Sequence, residues 1–246
     1  MANEIAPKLL AEFIGTFAFV FIGAGAVAVV GDGVGLGGIA AIAFAHGLTI
    51  MAFAFAYGRV SGAHMNPAVT VGVLAAGAMR VGEAVGYIVS QIVGAIAAAL
   101  LLRAVLGGAQ TGLGTPALAH GLALGGITSL TITPAGGFVI EAMLAFFLVT
   151  VVLSTAVAGR AGSLAPLAIG MTVTLNILMG GPLTGAPFNP ARALGPMVAT
   201  GDFENAWLYI SAPIVGAILA TLLHTGLSRL AHERPPAAAP ASAPAE

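Results

Sequence analysis

The sequence predicts an all-α membrane protein, with six transmembrane helices and two re-entrant half-helices arranged as an inverted repeat. Three observations carry that expectation: apolar runs of membrane length, a chain that is written twice, and a polar motif that returns in each copy. Of the 246 residues, 59% are hydrophobic and only 7% are charged, with a mean hydropathy of +1.04, far too apolar for an ordinary soluble domain. The net charge of -1 excludes a broad basic face for nucleic acid, and a chain without cysteine has no disulfide framework or thiol chemistry.

The apolar runs fall at about 8–30, 38–58, 82–106, 134–158, 163–181 and 206–230. Each has the roughly 20 residues that a hydrocarbon core about 30 Å thick demands of a helix, and none can pass for a strand of a membrane barrel. The first run has no small-residue cleavage site before further spans and reads as a retained helix. With six crossings, Lys8, Arg59, Arg80, Arg160, Arg229 and Arg234 fall on the side of the N-terminus, against Arg103 and Arg192 with Asp32, Asp202 and Glu204 on the other. That bias predicts both termini in the cytoplasm, with the plasma (inner) membrane as the expected location. The Pro/Ala-rich tail, 231–246, cannot pack and is expected to be disordered.

Residues 87–100, YIVSQIVGAIAAAL, match 209–222, YISAPIVGAILATL, at nine of fourteen positions. The motif SGAHMNPAVT at 61–70 returns as TGAPFNPARA at 184–193, and Glu12 with Phe17 answers Glu141 with Phe146. The chain therefore divides into a first repeat, 1–107, a connecting extracellular loop, 108–133, and a second repeat, 134–230. Three spans per repeat is an odd number, so the second copy enters the membrane from the opposite side.

In each repeat the motif opens a stretch too polar at its start to cross the bilayer, which a re-entrant segment fits better. Asn is a preferred N-cap and Pro is favoured at the first helical position, so Asn66-Pro67-Ala68 and Asn189-Pro190-Ala191 read as helix starts. About ten residues at 1.5 Å each reach halfway across, so two such half-helices meeting head to head complete one crossing. Irregular backbone at that depth is tolerated only where it is buried or lines a watery cavity. If each Asn oxygen caps its own helix, its amide hydrogens are left as donors aimed into a shared lumen, backed by two positive helix ends. A water there accepts from both and must donate outward, so it cannot relay a proton, while a cation meets two positive dipoles and Arg192. A lone Asn-Pro would be a mere turn; two copies in inverted halves make that reading improbable.

With these residues the chain resembles the aquaporins, or major intrinsic proteins, over 8–230; the pair of Asn-Pro-Ala boxes and GPLTGAPFNPARALGP carry the likeness. The resemblance implies an aquaporin-like fold, one pore per subunit and a homotetramer. Gly82, Gly86, Ser90, Gly94 and Ala98 form a small-residue stripe on the third span, which suits either contact between subunits or packing within one bundle against the half-helix. The resemblance also implies a narrow ring outward of the boxes, carried by spacing to His46, Ile177, Ala186 and Arg192. Arg192 answers Val69 in the first repeat, so the duplication is broken at one residue to set a permanent charge beside the pore. The family's strict water channels differ, with an aromatic where His46 stands and His where Ile177 stands. The set His, Ile, Ala, Arg looks like the plant vacuolar-membrane (tonoplast) type, and it should give a wider ring that keeps His46 and Arg192 as donors.

Glu12 and Glu141 need donors at matching depths, and in the family such residues brace the re-entrant loops; protonated relays are the alternative. His64 is expected to buttress Asn66 or to face the vestibule. His120, in the long connection, could overhang the outer mouth, although a solvated His is the plainer reading. No spacing suggests a metal or cofactor, and no nucleophile with its base suggests an enzyme. A passive channel for water and small neutral solutes such as ammonia, urea or hydrogen peroxide uses every unusual residue. A glycerol-type facilitator is less favoured, since Ala193 stands where those proteins have Asp, and a proton-coupled transporter would have only Glu12 and Glu141 to work with.

Overall fold

A computed structural model describes residues 2–31, 36–124 and 126–232. Six helices in it are long and apolar enough to cross a membrane: Ile5–Val30, Gly37–Ser61, Val81–Val105, Pro134–Val157, Gly162–Thr184 and Ala206–Leu230. They match the six predicted runs to within a few residues, because apolar side chains all round a helix suit lipid on one face and protein on the other. The last helix continues through His232, so the expected tail begins at least two residues later than 231. The rest of that tail, with Asp32 and Arg234, lies outside the described residues.

The two repeats are related by approximate two-fold symmetry that can be followed contact by contact. A Cβ on Gly94 of the third span would lie 2.5 Å from the Phe13 carbonyl oxygen of the first, and a Cβ on Gly216 of the sixth would overlap the Ala142 carbonyl of the fourth. Each glycine thus lets two backbones touch, which is how helices pack when lipid removes the hydrophobic drive. Spans two and five cross at the pseudo-axis, where Gly47 and Gly170, equivalent positions, face each other's carbonyls: the Cβ-to-oxygen distances would be 2.5 and 2.6 Å. The small-residue stripe on the third span resolves the same way. Gly94 meets the first span and Gly86 meets Leu9, while Gly82 has nothing within 4 Å among the described residues.

Two shorter helices, Pro67–Ala75 and Pro190–Thr200, fill the bundle from opposite ends. Each packs closely on the third span of the other repeat, so the halves are exchanged rather than stacked. Gly195 of the second lies against the Ala95 carbonyl of span three, with 2.6 Å for an added Cβ. The connection between repeats carries a single turn, Gly112–Gly114, and a hairpin pairing Leu122–Leu124 with Ile127–Leu130. It folds down over the second re-entrant loop, where Ala119 N donates to the Leu183 carbonyl at 2.9 Å.

Among the described residues two spans carry π-helical turns, Phe19–Ala24 in the first and Leu153–Val157 at the end of the fourth. These are not equivalent positions, so they are features the two halves do not share. On the symmetric contacts, Gly216→Val should destabilise the fold by roughly 1–3 kcal/mol or more through overpacking, whereas Gly82→Ala should leave it within error. Thermal unfolding of the detergent-solubilised protein distinguishes the two, and equal midpoints would contradict the packing described.

Candidate functional site

The site begins at two helix starts. Asn66 and Asn189 sit in extended backbone, at φ -158° and -150°, and each turns its side-chain oxygen onto its own helix. Asn66 Oδ1 accepts from Ala68 N at 2.8 Å; Asn189 Oδ1 accepts from Ala191 N at 3.0 Å and Arg192 N at 3.2 Å. Such caps contribute about 1 kcal/mol each, and the Pro that follows costs no hydrogen bond at that position. The helices hold 9 and 11 residues, together about 30 Å, the thickness of the hydrocarbon.

The amide nitrogens reach across. Asn66 Nδ2 donates to the Phe188 carbonyl at 3.1 Å and Asn189 Nδ2 to the Met65 carbonyl at 2.8 Å. This differs from the expectation that both amide hydrogens stay free. One per residue is spent on the facing loop, because the carbonyl just before each helix would otherwise be unpaired in hydrocarbon. One N–H per Asn is left over after these bonds.

The loops that present these groups are strained. Ala63 and Met65 in the first loop, and Ala186 and Phe188 in the second, have φ of 50°, 49°, 42° and 28°. A left-handed residue other than glycine costs on the order of 1–2 kcal/mol, so four of them need a strong counterweight. A buried carboxylate supplies it. Glu12 accepts from Ser61 Oγ at 2.6 Å and His64 N at 2.9 Å on one oxygen, and from Met65 N and Gln91 Nε2, both 2.7 Å, on the other. Glu141 accepts from Thr184 Oγ1 at 2.6 Å and Phe188 N at 2.7 Å. The two donors without counterparts fall where the second repeat has proline: Pro187 answers His64 and has no N–H, and Pro213 answers Gln91 and has no amide. Tyr87 and Tyr209 complete the frame by donating to the Ser61 and Thr184 carbonyls, at 2.7 and 3.0 Å. Ser61, Thr184 and both tyrosines escaped the sequence reading, although each is a matched pair under the duplication.

His46, Ile177, Ala186 and Arg192 are all buried, at 1–2% exposure. Arg192 lies one turn into the second half-helix, and its Nη1 donates to the Gly114 carbonyl at 2.6 Å. A lipid-facing, snorkelling arginine would not be held in this way. His46 Nδ1 lies 2.9 Å from the Ile42 carbonyl, which can only accept, so Nδ1 carries the proton. In the neutral ring Nε2 is then a lone pair, 3.5 Å from Arg192 Nη2. His46 Nε2 is therefore an acceptor that faces the Arg192 guanidinium, where both side chains were expected to be donors. Ile177 and Ala186 belong to one apolar cluster with Phe19. Gly114 was not anticipated, since only the folded connection brings it to the arginine.

On the side that carries the N-terminus a cavity of about 910 Å³ opens, lined by Lys8, Arg59, His64, Glu83 and Tyr87 among others. It shares Gly62, His64 and Ile169 with a narrow space of about 30 Å³ that both asparagines help to line, room enough for a water. His64 Nδ1 is 3.1 Å from Thr70 Oγ1, in the first turn of the half-helix that Asn66 caps. His120 is exposed on the connection, with no hydrogen-bond partner among the described residues.

Head-to-head half-helices that close a single crossing inside a six-helix inverted repeat define a class of membrane pore proteins. The family model for "Major intrinsic protein" matches residues 2–224, and the chain belongs to that family, the aquaporins. It is 39% identical over 215 residues to Aquaporin NIP1-2 of Oryza sativa subsp. japonica, covering 85% of this chain and 68% of that one. It is equally 39% identical over 223 residues to Aquaporin TIP2-1 of Arabidopsis thaliana, covering 87% and 84%. The X-ray structure of the aquaglyceroporin from Plasmodium falciparum superposes with a TM-score of 0.76 over 93% of this chain and 99% of that one, at 22% identity, a likeness of fold. The protein is a passive channel and not an enzyme.

The unequal braces give a prediction. In Glu12→Gln, whichever way the amide turns, its NH₂ meets the backbone N–H of His64 or Met65; in Glu141→Gln the oxygen can take Phe188 N while the NH₂ faces a hydroxyl that can accept. Glu12→Gln should therefore cost roughly 1–3 kcal/mol more stability than Glu141→Gln. Paired thermal melts measure the difference, and the reverse order would refute it.

Proposed function

We propose that this channel passes water and other small neutral solutes, ammonia foremost, in single file while turning back protons and ions. The reading rests on one observation above all: each asparagine divides its polar atoms between its own helix and the opposite loop, so that one N–H of each is left over for a solute. A water held there is oriented by donors on both sides and has no acceptor through which to pass a proton along the file. Arg192 adds a fixed positive charge, and its Nε–H, buried with no partner among the described residues, is a spare donor beside the passage.

In this reading His46, Ile177, Ala186 and Arg192 form the selectivity ring, of the kind found in the plant vacuolar-membrane type. Its acceptor at His46 Nε2 and donors at Arg192 match ammonia, urea or hydrogen peroxide, each of which can both give and take a hydrogen bond. Glycerol is less favoured because Ala193 follows the arginine. A proton-coupled mechanism is disfavoured because both buried carboxylates are engaged by loop donors. The protein acts as a homotetramer with one pore per subunit, in the plasma (inner) membrane, with both termini cytoplasmic.

Proteoliposomes carrying the protein should shrink faster than empty ones after an osmotic jump, with no added proton conductance; equal rates in well-reconstituted vesicles would defeat the channel reading. Under an ammonia gradient, the lumen of vesicles loaded with a pH dye should alkalinise faster than in empty controls. Equal rates there would remove ammonia from the solutes and leave water.

A further inference from the structure

We propose that Gly23, in the π-helical turn of the first span, sets the aperture of the outer ring by fixing how far the His46 imidazole projects into it, and so decides how large a neutral solute passes. This rests on the channel reading above and names a positioning residue that touches no solute itself.

The turn Phe19–Ala24 has the wider i to i+5 hydrogen-bond pattern, which adds a residue to the turn and rotates the face that follows. Three of its residues reach the ring. Phe19 lies edge-on to His46, with ring centroids 5.4 Å apart. Gly23 lies flush under the imidazole: a Cβ there would be 2.5 Å from Cδ2, 2.7 Å from Nε2 and 2.9 Å from Cγ. Ala24 backs Gly114, where an added Cβ would be 2.7 Å from the Ala24 oxygen, and the Gly114 carbonyl holds Arg192. One irregular turn therefore seats both polar members of the ring, the histidine directly and the arginine through the connection.

The imidazole has little freedom to yield sideways. Its Nδ1–H is bonded to Ile42 on its own helix, and Phe19 borders the ring. Carbon contacts settle near 3.5–4.0 Å, so a methyl at position 23 requires a displacement of about 1 Å. The direction left is away from the first span, against Arg192 Nη2, which Nε2 already meets at 3.5 Å, so the added methyl closes that contact up. In a single-file constriction an ångström separates solutes of different breadth, whereas water, the narrowest, is least affected. Glycine at 23 is thus the wide setting of the ring.

The test uses the full chain carrying Gly23→Ala, reconstituted in vesicles, with water and urea permeabilities read on the same preparation. The urea-to-water ratio should fall by about fivefold or more, with water falling by less than about twofold. In a His46→Ala background the same substitution should leave the ratio unchanged, which a merely structural defect would not do. A correctly folded Gly23→Ala protein with an unaltered ratio overturns the proposal.

An experimental structure of Gly23→Ala supplies a second readout that does not need conduction. The imidazole should be displaced toward Arg192, and an unmoved ring overturns the proposal even if wild-type vesicles prove no leakier than empty ones, the outcome that defeats the channel reading instead. Should Gly23→Ala fail to fold, Gly23→Ala with His46→Ala removes the overlap and must restore folding; if it does not, the proposal falls.

Discussion

A backbone carbonyl or amide without a partner costs several kcal/mol in hydrocarbon, and this chain bares two sets of them at the middle of the membrane. Nearly everything distinctive in the sequence answers that cost. Each Asn side chain is used two ways, with its oxygen on its own helix and one hydrogen on the carbonyl of the facing loop. Because the bonds between loops are reciprocal, neither loop can move alone without orphaning a carbonyl in the other. The junction of the two half-helices is therefore a lock between two halves.

The lock needs an anchorage, and the two halves provide it unequally. Glu12 collects donors from its loop, from Ser61 and from Gln91, while Glu141 has, among the described residues, Thr184 and Phe188. The second loop recovers support from elsewhere. The connection lies over it through Ala119, and Arg103 at the end of span three donates to the Ala199 carbonyl at 2.8 Å, placing a cation at the negative end of the second half-helix. The half that carries Arg192 is thus held partly from outside the bundle, by the segment whose Gly114 carbonyl also fixes the arginine.

Much of this was legible in the sequence for a physical reason. Hydropathy reports lipid contact directly, so the spans could be drawn without knowing the packing, and the duplicated Asn-Pro motif exposed the half-helices through their caps. The missing donors of the second repeat were equally written, as Pro187 and Pro213, for any reader who aligned them with His64 and Gln91. What could not be read depends on contacts remote in the chain. The partner of Asn66 Nδ2 lies 122 residues away, and the partner of Arg192 Nη1 lies 78 away. The tautomer of His46 depends on which carbonyl its ring meets, and the π-helical turn in the first span has no proline or repeat signature to announce it.

The reciprocal bonds also bear on how the protein is made. Met65 and Phe188 are each completed by an asparagine in the other repeat, so the first re-entrant loop leaves the ribosome long before its counterpart exists. With 122 residues between Asn66 and Phe188, and synthesis at roughly 5–20 residues per second, that wait is about 6–24 s. During it the Met65 carbonyl has no asparagine to meet, and the segment is held by partners from its own repeat, Glu12, Ser61, Tyr87 and Gln91 among them. The richer set of bonds around Glu12 belongs to the half that must stand alone first.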